Sequence, residues 1–254
     1  MAGISTVQRL TAEELHALAG DDVMVASETR GGAIAAWAVG GGLGFAAEDD
    51  YSGSACWVSV VGEPEATPAL VDAALHDLGD RVAGLTVPRG VSLAPWNADQ
   101  PPGEDDWDLM ASEAPPAVEP GESQVVLLSD PVEIQAFLDR VNPHHSVRGD
   151  YELVDAWAGV RDDAPGASGE LLATGALTRR LSGVAYLASI ATDPAARGQG
   201  LGSAITAYLT RLAFERGETL CTLAHYHPND AARRVYLRLG YRTTHQFSSG
   251  QIRR

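Results

Sequence analysis

Apolar positions along the second half of the chain switch between two periods, and the switches predict alternating strands and helices. "VVLLSD" (125–130) reads as a buried strand, and "PVEIQAFLDRV" (131–141) follows as a helix. Asp130 is placed to cap that helix and Pro131 to open it, with Ile134, Phe137, Leu138 and Val141 on one face. The pattern is interrupted from His144 to Gly149, where a second short helix is an option. "YELVDAWAGVRDD", "GELLATGALTRRLSG" and "VAYLASIATD" then give three strand-like runs separated by turn-rich breaks, which predicts an antiparallel meander. Leu201, Ile205, Leu209 and Leu212 fall at helical spacing, and Gly217 supplies a stop. "TLCTLAHYH" reads as a strand, "NDAARRVYLRLG" as a helix capped by Asn229 or Asp230, and "YRTTHQF" as a last strand. The predicted order is β-α-β-β-β-α-β-α-β, a mixed α/β layer.

The first half is less regular. "GGAIAAWAVGGGLGFAA" (31–47) is a long uncharged run, but its six glycines favour two strands around Gly40–Gly42 over a membrane span. At "ASEAPPAVEPGES" (111–123), three prolines and small residues replace any apolar period, so a linker is expected there. The expected units are 1–110, the 111–123 linker, and 124–254.

Charge sharpens that division. The net charge of −16 belongs to the front of the chain: residues 1–123 hold 21 acidic against 4 basic residues, and residues 124–254 hold 13 against 14. Such a surface repels nucleic acid and anionic membranes and attracts cationic partners. No basic leader with an apolar core opens the sequence, so a cytoplasmic protein is expected. Cys56 and Cys221 are the only cysteines, which supports neither a disulfide framework nor a cysteine zinc site. Every basic residue is arginine, which reads as compositional bias of the source genome.

The chemistry concentrates in "SIATDPAARGQGLGSAI", where a strand runs through Arg197-Gly198-Gln199-Gly200-Leu201-Gly202 into a helix. A helix N-terminus leaves backbone N–H groups without partners and favours anions. Glycines there remove the Cβ atoms that would hold a phosphate away. A Walker A loop is excluded because the chain has no lysine, and a dinucleotide loop requires G-x-G-x-x-G in a parallel unit. The spacing instead resembles the coenzyme A loop of the GNAT acyltransferases, Arg/Gln-x-x-Gly-x-Gly/Ala. "NDAARRVYLRLGY" is similar to that family's later motif through Asn229, Ala232, Tyr236 and Gly240-Tyr241.

The resemblance covers roughly residues 124–248 and implies a twisted, mainly antiparallel sheet flanked by helices. It implies acetyl-CoA as cosubstrate, with its diphosphate on the amides of Arg197, Gly198, Gln199, Gly200, Leu201, Gly202 and Ser203. The strand Ile190, Ala191 and Thr192 would pair with the pantetheine arm and supply a backbone oxyanion donor. Asn229 would contact the cofactor from the other side, and Tyr236 would be the acid that protonates the departing thiolate. No metal is implied. His144, His145, His225 and His227 are candidate bases, and Arg233, Arg234, Arg238 and Arg242 form a basic patch within reach of the 3'-phosphate of CoA.

"CWVSVVGEPEATPALVDAAL" aligns with "YLASIATDPAARGQGLGSAI" at a constant offset of 130, pairing Ser59 with Ser189 and Pro64 with Pro194. Thr67, Pro68, Leu70 and Asp72 stand where the second copy has its arginine and glycines. The expectation is two GNAT-like domains in an α/β (α+β) chain, the first degenerate and unable to bind CoA. The expected function is acetyl transfer to a primary amine of a small, cationic acceptor or of a protein; the alternative is a non-catalytic acetyl-CoA sensor or partner-binding module. A homodimer is compatible with either.

Overall fold

The computed structural model describes residues 6–29, 32–48, 55–100, 106–163, 169–180 and 182–253. After β1 (Gln8–Leu10), Thr11 opens α1 (Ala12–Ala19) through a capping box: its hydroxyl takes the Glu14 N–H, and the Glu14 carboxylate takes the Thr11 N–H. The helix α2 (Val23–Thr29) leads to the hairpin of β2 (Ala35–Val39) and β3 (Gly42–Glu48), turned by Gly40 and Gly41 at positive φ. β4 (Cys56–Gly62), α3 (Thr67–Leu78), β5 (Val82–Pro88), the short β6 (Ala98–Asp99) and β7 (Trp107–Ser112) complete the first half.

The second half follows a similar order, with one helix instead of two after its first strand and a helix where the first half has β6. β8 (Val126–Leu128) precedes α4 (Pro131–Val141), whose first turn is capped by Asp130 Oδ1 accepting from the Val132 and Glu133 amides. β9 (Val154–Arg161), β10 (Leu171–Arg179) and β11 (Ala185–Thr192) form the antiparallel meander; α5 (Leu201–Glu215), β12 (Cys221–Tyr226), α6 (Asp230–Arg238) and β13 (Arg242–Ile252) follow. α5 buries Ile205, Leu209 and Ala213 against Ala173, Leu187 and Leu223 of the sheet.

Three elements differ from the sequence pattern. β8 is an edge strand rather than a buried one, with Val126 44% and Leu127 57% exposed, because a three-residue strand paired only to β9 has no layer to cover it. His144–Gly149 forms turns and no second helix. β13 continues five residues past Phe247, because its outer part has a partner in the other half of the chain.

That partner arises from an exchange. The strands form one sheet in the order β1-β2-β3-β4-β5-β13-β7-β12-β11-β10-β9-β8, with β6 on β13. β7 of the first half lies between β12 and β13 of the second, while β13 runs on to pair with β5. Each half thus covers an otherwise open strand edge of the other. Ala111 and Ser112 of the expected linker are the last residues of β7, and the rest of that segment is fastened to the second half. Glu113 pairs with Arg242 at 2.5 Å, Glu119 accepts from Ser203 at 2.6 Å, and the buried Glu122 pairs with Arg211. Among the described residues, no helix is long and apolar enough to cross a membrane.

Candidate active site

The site begins where two parallel strands part. β11 and β12 are paired only from Ala185–Leu187 to Cys221–Leu223. Two residues later Ser189 adopts φ +51°, a left-handed conformation rare outside glycine, and the β10–β11 register slips between Thr174 and Ala176. Val147 holds this bend from the α4–β9 loop: its N–H donates to Ser189 Oγ at 3.0 Å, and that hydroxyl donates to the Val147 carbonyl at 3.1 Å. From Ala188 to Thr192, β11 has β10 on one side and, among the described residues, no strand on the other.

β11 leads directly into the glycine loop. Asp193 accepts the Ala195 N–H and pairs with Arg140, and Arg197 Nε donates to the Thr192 carbonyl at 3.4 Å. Gly198 and Gly200 have φ of 81° and 80°, and a Cβ built on either would meet nothing within 4 Å. Both glycines are therefore required by backbone conformation, and the space before them is open. Gly202 is different: its φ is ordinary, and a Cβ would rest 3.5 Å from Thr192 Oγ1. The first intrahelical bond of α5 runs from Ala204 N–H to the Gly200 carbonyl, and no side chain caps the helix. The amides of Leu201, Gly202 and Ser203 precede that bond and have no intrahelical acceptor. Gln199 is exposed, while the Leu201 side chain is buried in the core. Ser203 Oγ is engaged by Glu119, and this bond, with Arg238 beside it, holds the Glu119 carboxyl below the usual range.

The parted strands enclose a cavity of about 370 Å³. Ser189 lines it together with His144, Ile190, His225, Asn229 and Tyr236, so the structure brings together five candidate site residues singled out in the sequence. Tyr236 is 8% exposed, and burial, reinforced by Tyr186, pushes its phenol well above the usual range, leaving it a protonated donor. Asn229 caps α6 by accepting the Ala232 N–H at 3.1 Å. Ala191 is turned into the core beneath α4, so only its backbone faces the strand edge.

The histidines separate by position. His145 is built into the α4 turn through Asn142 and Gln135, His227 is exposed beside Arg89, and His144 reaches the cavity from its exposed side. His225 is buried; its Nδ1 lies 2.9 Å from the Tyr226 carbonyl, and its Nε2 lies 3.9 Å from Asp108 Oδ2. Asp108, on the exchanged strand β7, is in turn paired with Arg89. Of the basic patch, Arg238 meets Glu119 and Arg242 meets Glu113; both line a second cavity of about 500 Å³ that shares no residue with the first.

Sequence reasoning missed the contributions that come from afar. Trp107 enters the cavity from β7, its indole N–H bonded to Ser249 at 2.8 Å, and Ser249 is linked through Thr86 to Trp57. Arg180, at the end of β10, also lines the cavity, with its guanidinium paired to Glu28 and 4.2 Å above the Tyr186 ring. Neither carries a local motif. The unpaired φ of Ser189 is equally silent in sequence.

In the first half the corresponding strands stay paired further along. β4 and β5 remain paired from Cys56 to Ser59, and the Trp57 ring lies so close over Gly84 that a Cβ there would meet it at 2.3 Å. α3 starts at Thr67 immediately after the Pro64–Ala66 turn, with Thr67 and Leu70 buried and Asp72 accepting the Trp96 indole N–H. Among the described residues of the first half, nothing resembles the open glycine loop.

Known proteins agree with this geometry. Residues 134–241 match the acetyltransferase (GNAT) family profile, while no curated protein sequence matches the chain. A GCN5-related N-acetyltransferase from Kribbella flavida is similar in structure at 20% identity and TM-score 0.56, covering 96% of this chain and 95% of that one. A GNAT-family acetyltransferase from Novosphingobium aromaticivorans gives 22% and 0.52, over 84% and 88%. A Drosophila protein gives 13% and 0.62, over 98% and 99%, so the fold extends over nearly the whole length. The matched segment, residues 134–241, contains the parted strands and the glycine loop and is a GNAT acetyltransferase domain.

Proposed function

We propose that the protein moves an acetyl group from acetyl-CoA to the primary amine of a small acceptor in the cavity between β11 and β12. The observation that carries this reading is the parting of those strands at Ser189, followed at once by a loop in which a Cβ at Gly198 or Gly200 would meet nothing within 4 Å. Room before Gly198 and Gly200 and a strand edge from Ala188 to Thr192 fit a diphosphate and an amide-bearing arm. The thioester supplies an activated acetyl group.

The chain's own residues then have distinct tasks. Amides from Arg197 to Ser203 hold the diphosphate, and the edge Ile190–Thr192 binds the arm. A backbone N–H of Ile190 or Ala191 donates to the carbonyl oxygen as it gains charge. Tyr236 gives its proton to the leaving sulfur. Asn229 engages its side-chain oxygen in capping α6, so its amide nitrogen makes the cofactor contact. An N–C bond forms as the C–S bond breaks; the acceptor ammonium loses two protons, one ending on the thiol and the other in solvent. The buried thiols Cys56 and Cys221 suit a cytoplasmic setting.

Thiol release from acetyl-CoA, measured over polyamines, aminoglycosides, amino acids and lysine peptides, tests this reading. Release with one acceptor class supports it. Calorimetric binding of acetyl-CoA with no release on any acceptor would turn the reading to a sensor, and absence of binding would remove both.

A further inference from the structure

Resting on the acetyl-transfer reading above, we infer that His225 is the base that takes the acceptor's ammonium proton, on Nε2, and that Asp108 of the exchanged strand β7 is the positioning residue that holds the resulting imidazolium. The first half of the chain thereby enters the chemistry of the second. The inference starts from one atom. His225 lines the cavity, and its Nδ1 lies 2.9 Å from the Tyr226 carbonyl. A carbonyl only accepts, so in the neutral ring Nδ1 carries the hydrogen and Nε2 keeps its lone pair. That nitrogen is buried and has no hydrogen-bond partner among the described residues. A buried acceptor left empty is unfavourable, and a proton relieves it.

Asp108 stands where that proton needs a counter-charge. It is the partner of His225 across the β7–β12 ladder, so both side chains leave the sheet on one face, and its Oδ2 lies 3.9 Å from Nε2. Both side chains are 2% exposed. Asp108 is also held from elsewhere: Arg89, just past β5, pairs with its Oδ1, and Gln246, its ladder partner on β13, donates to the two oxygens at 3.4 and 3.3 Å. The carboxylate is therefore in place before a proton arrives. Protonation turns Nε2 into a donor, and an approach of about 1 Å then makes a charge-assisted hydrogen bond.

The proton donor is next to this base. The rings of His225 and Tyr236 have centroids 6.1 Å apart, and both line the cavity. The other histidines are placed differently. His145 has both nitrogens engaged, by Asn142 and Gln135, and His227 is exposed beside Arg89, which leaves the exposed His144 as the rival at the cavity. An ammonium entering the cavity gives one proton to Nε2, directly or through a water, and the freed lone pair attacks the thioester carbonyl. The N–C bond forms, the C–S bond breaks, Tyr236 protonates the sulfur, and the second nitrogen proton restores the phenol. The imidazolium then returns its proton to solvent.

The test uses the full-length protein and whichever of spermidine, kanamycin, L-serine and a lysine peptide releases thiol fastest. At about pH 7, His225→Gln should lower kcat/KM for that amine about a hundredfold, with calorimetric acetyl-CoA affinity unchanged. The charged and titratable groups around the ring are Asp108 with Arg89 and His227 beyond it, Tyr236 of α6, and His144, Tyr186 and Arg180 at the cavity. All are kept in this variant, so its deficit should follow the amine, shrinking about tenfold per pH unit from about pH 6.5 to 8.5 as free amine forms without a base. Asp108→Asn should lower kcat about ten- to a hundredfold, the range a charge-assisted hydrogen bond spans, with the acetyl-CoA KM unchanged, and Asp108→Glu should recover part of the loss. Nitrogen NMR of the parent protein should find the hydrogen of the neutral His225 ring on Nδ1. The opposite tautomer, a parent-like rate in His225→Gln, a deficit that ignores pH, or a deficit of this form in His144→Gln instead would overturn the proposal while leaving acetyl transfer intact. Undiminished kcat in Asp108→Asn would remove the positioning role. A panel on which no amine releases thiol would remove the acetyl-transfer reading and this proposal together.

Discussion

Ser189 and Val147 exchange two hydrogen bonds, the Val147 amide donating to the serine hydroxyl and the hydroxyl donating to the Val147 carbonyl. One buried side chain thereby fixes both the bend that opens β11 away from β12 and the loop carrying Asn142, His144 and Ser146 to the cavity. Ser189→Ala leaves two buried backbone groups without a partner, at a cost of about 1–3 kcal/mol. Ser189→Gly relieves the left-handed φ but loses the same bonds. Both variants are expected to raise the acceptor KM more than the acetyl-CoA KM, and equal effects on the two would contradict the link.

The glycine loop allows stability and binding to be separated. Gly200→Ala must hold a left-handed φ and should cost about 1–2 kcal/mol. Gly202→Ala meets only an ordinary contact at Thr192, so its melting temperature should match the parent. If the α5 amides hold the diphosphate, calorimetry should nevertheless show weaker acetyl-CoA binding in Gly202→Ala, and loss of binding in Gly200→Asp. Parent-like affinity in both would place the diphosphate elsewhere.

Tyr236→Phe removes the proton donor while keeping the ring that packs beside His225 and Tyr241. Turnover should fall by about a hundredfold, with acetyl-CoA affinity unchanged. Undiminished kcat would end the assignment.

Alkaline pH should destabilise the fold. Burial pushes the Cys221 thiol from its ordinary 9.0 up to about 12, and the Tyr236 and Tyr241 phenols are likewise raised by burial. The unfolded chain therefore releases these protons first. Stability is fully present below about pH 9 and declines as pH rises towards 12. A melting temperature that stays level between pH 8 and 10.5 would contradict this.

A fragment of residues 124–254 lacks β7 and so exposes the facing edges of β12 and β13. It is expected to aggregate. A fragment starting at Asp106 restores that strand and should be the more soluble of the two by gel filtration. A monomeric, acetyl-CoA-binding 124–254 fragment would show that the exchange is dispensable.

The sequence by itself determined the local elements and the glycine loop. Helix periodicity with Asp130 as one cap and Asn229 or Asp230 as the other, of which the structure uses Asn229, and glycines at 198 and 200 depend on a few neighbouring residues, so their meaning survives without a fold. The offset-130 similarity likewise marked one strand–turn–helix unit in each half, because strand–turn–helix geometry is local. Only the tertiary structure decided what lines the cavity. Trp107, Arg180 and the Ser189–Val147 tie meet across separations set by the exchange of β7 and β13 and by the parting of β11 from β12. Summed charge is silent about that cavity, because its lining depends on which few side chains the fold turns inward.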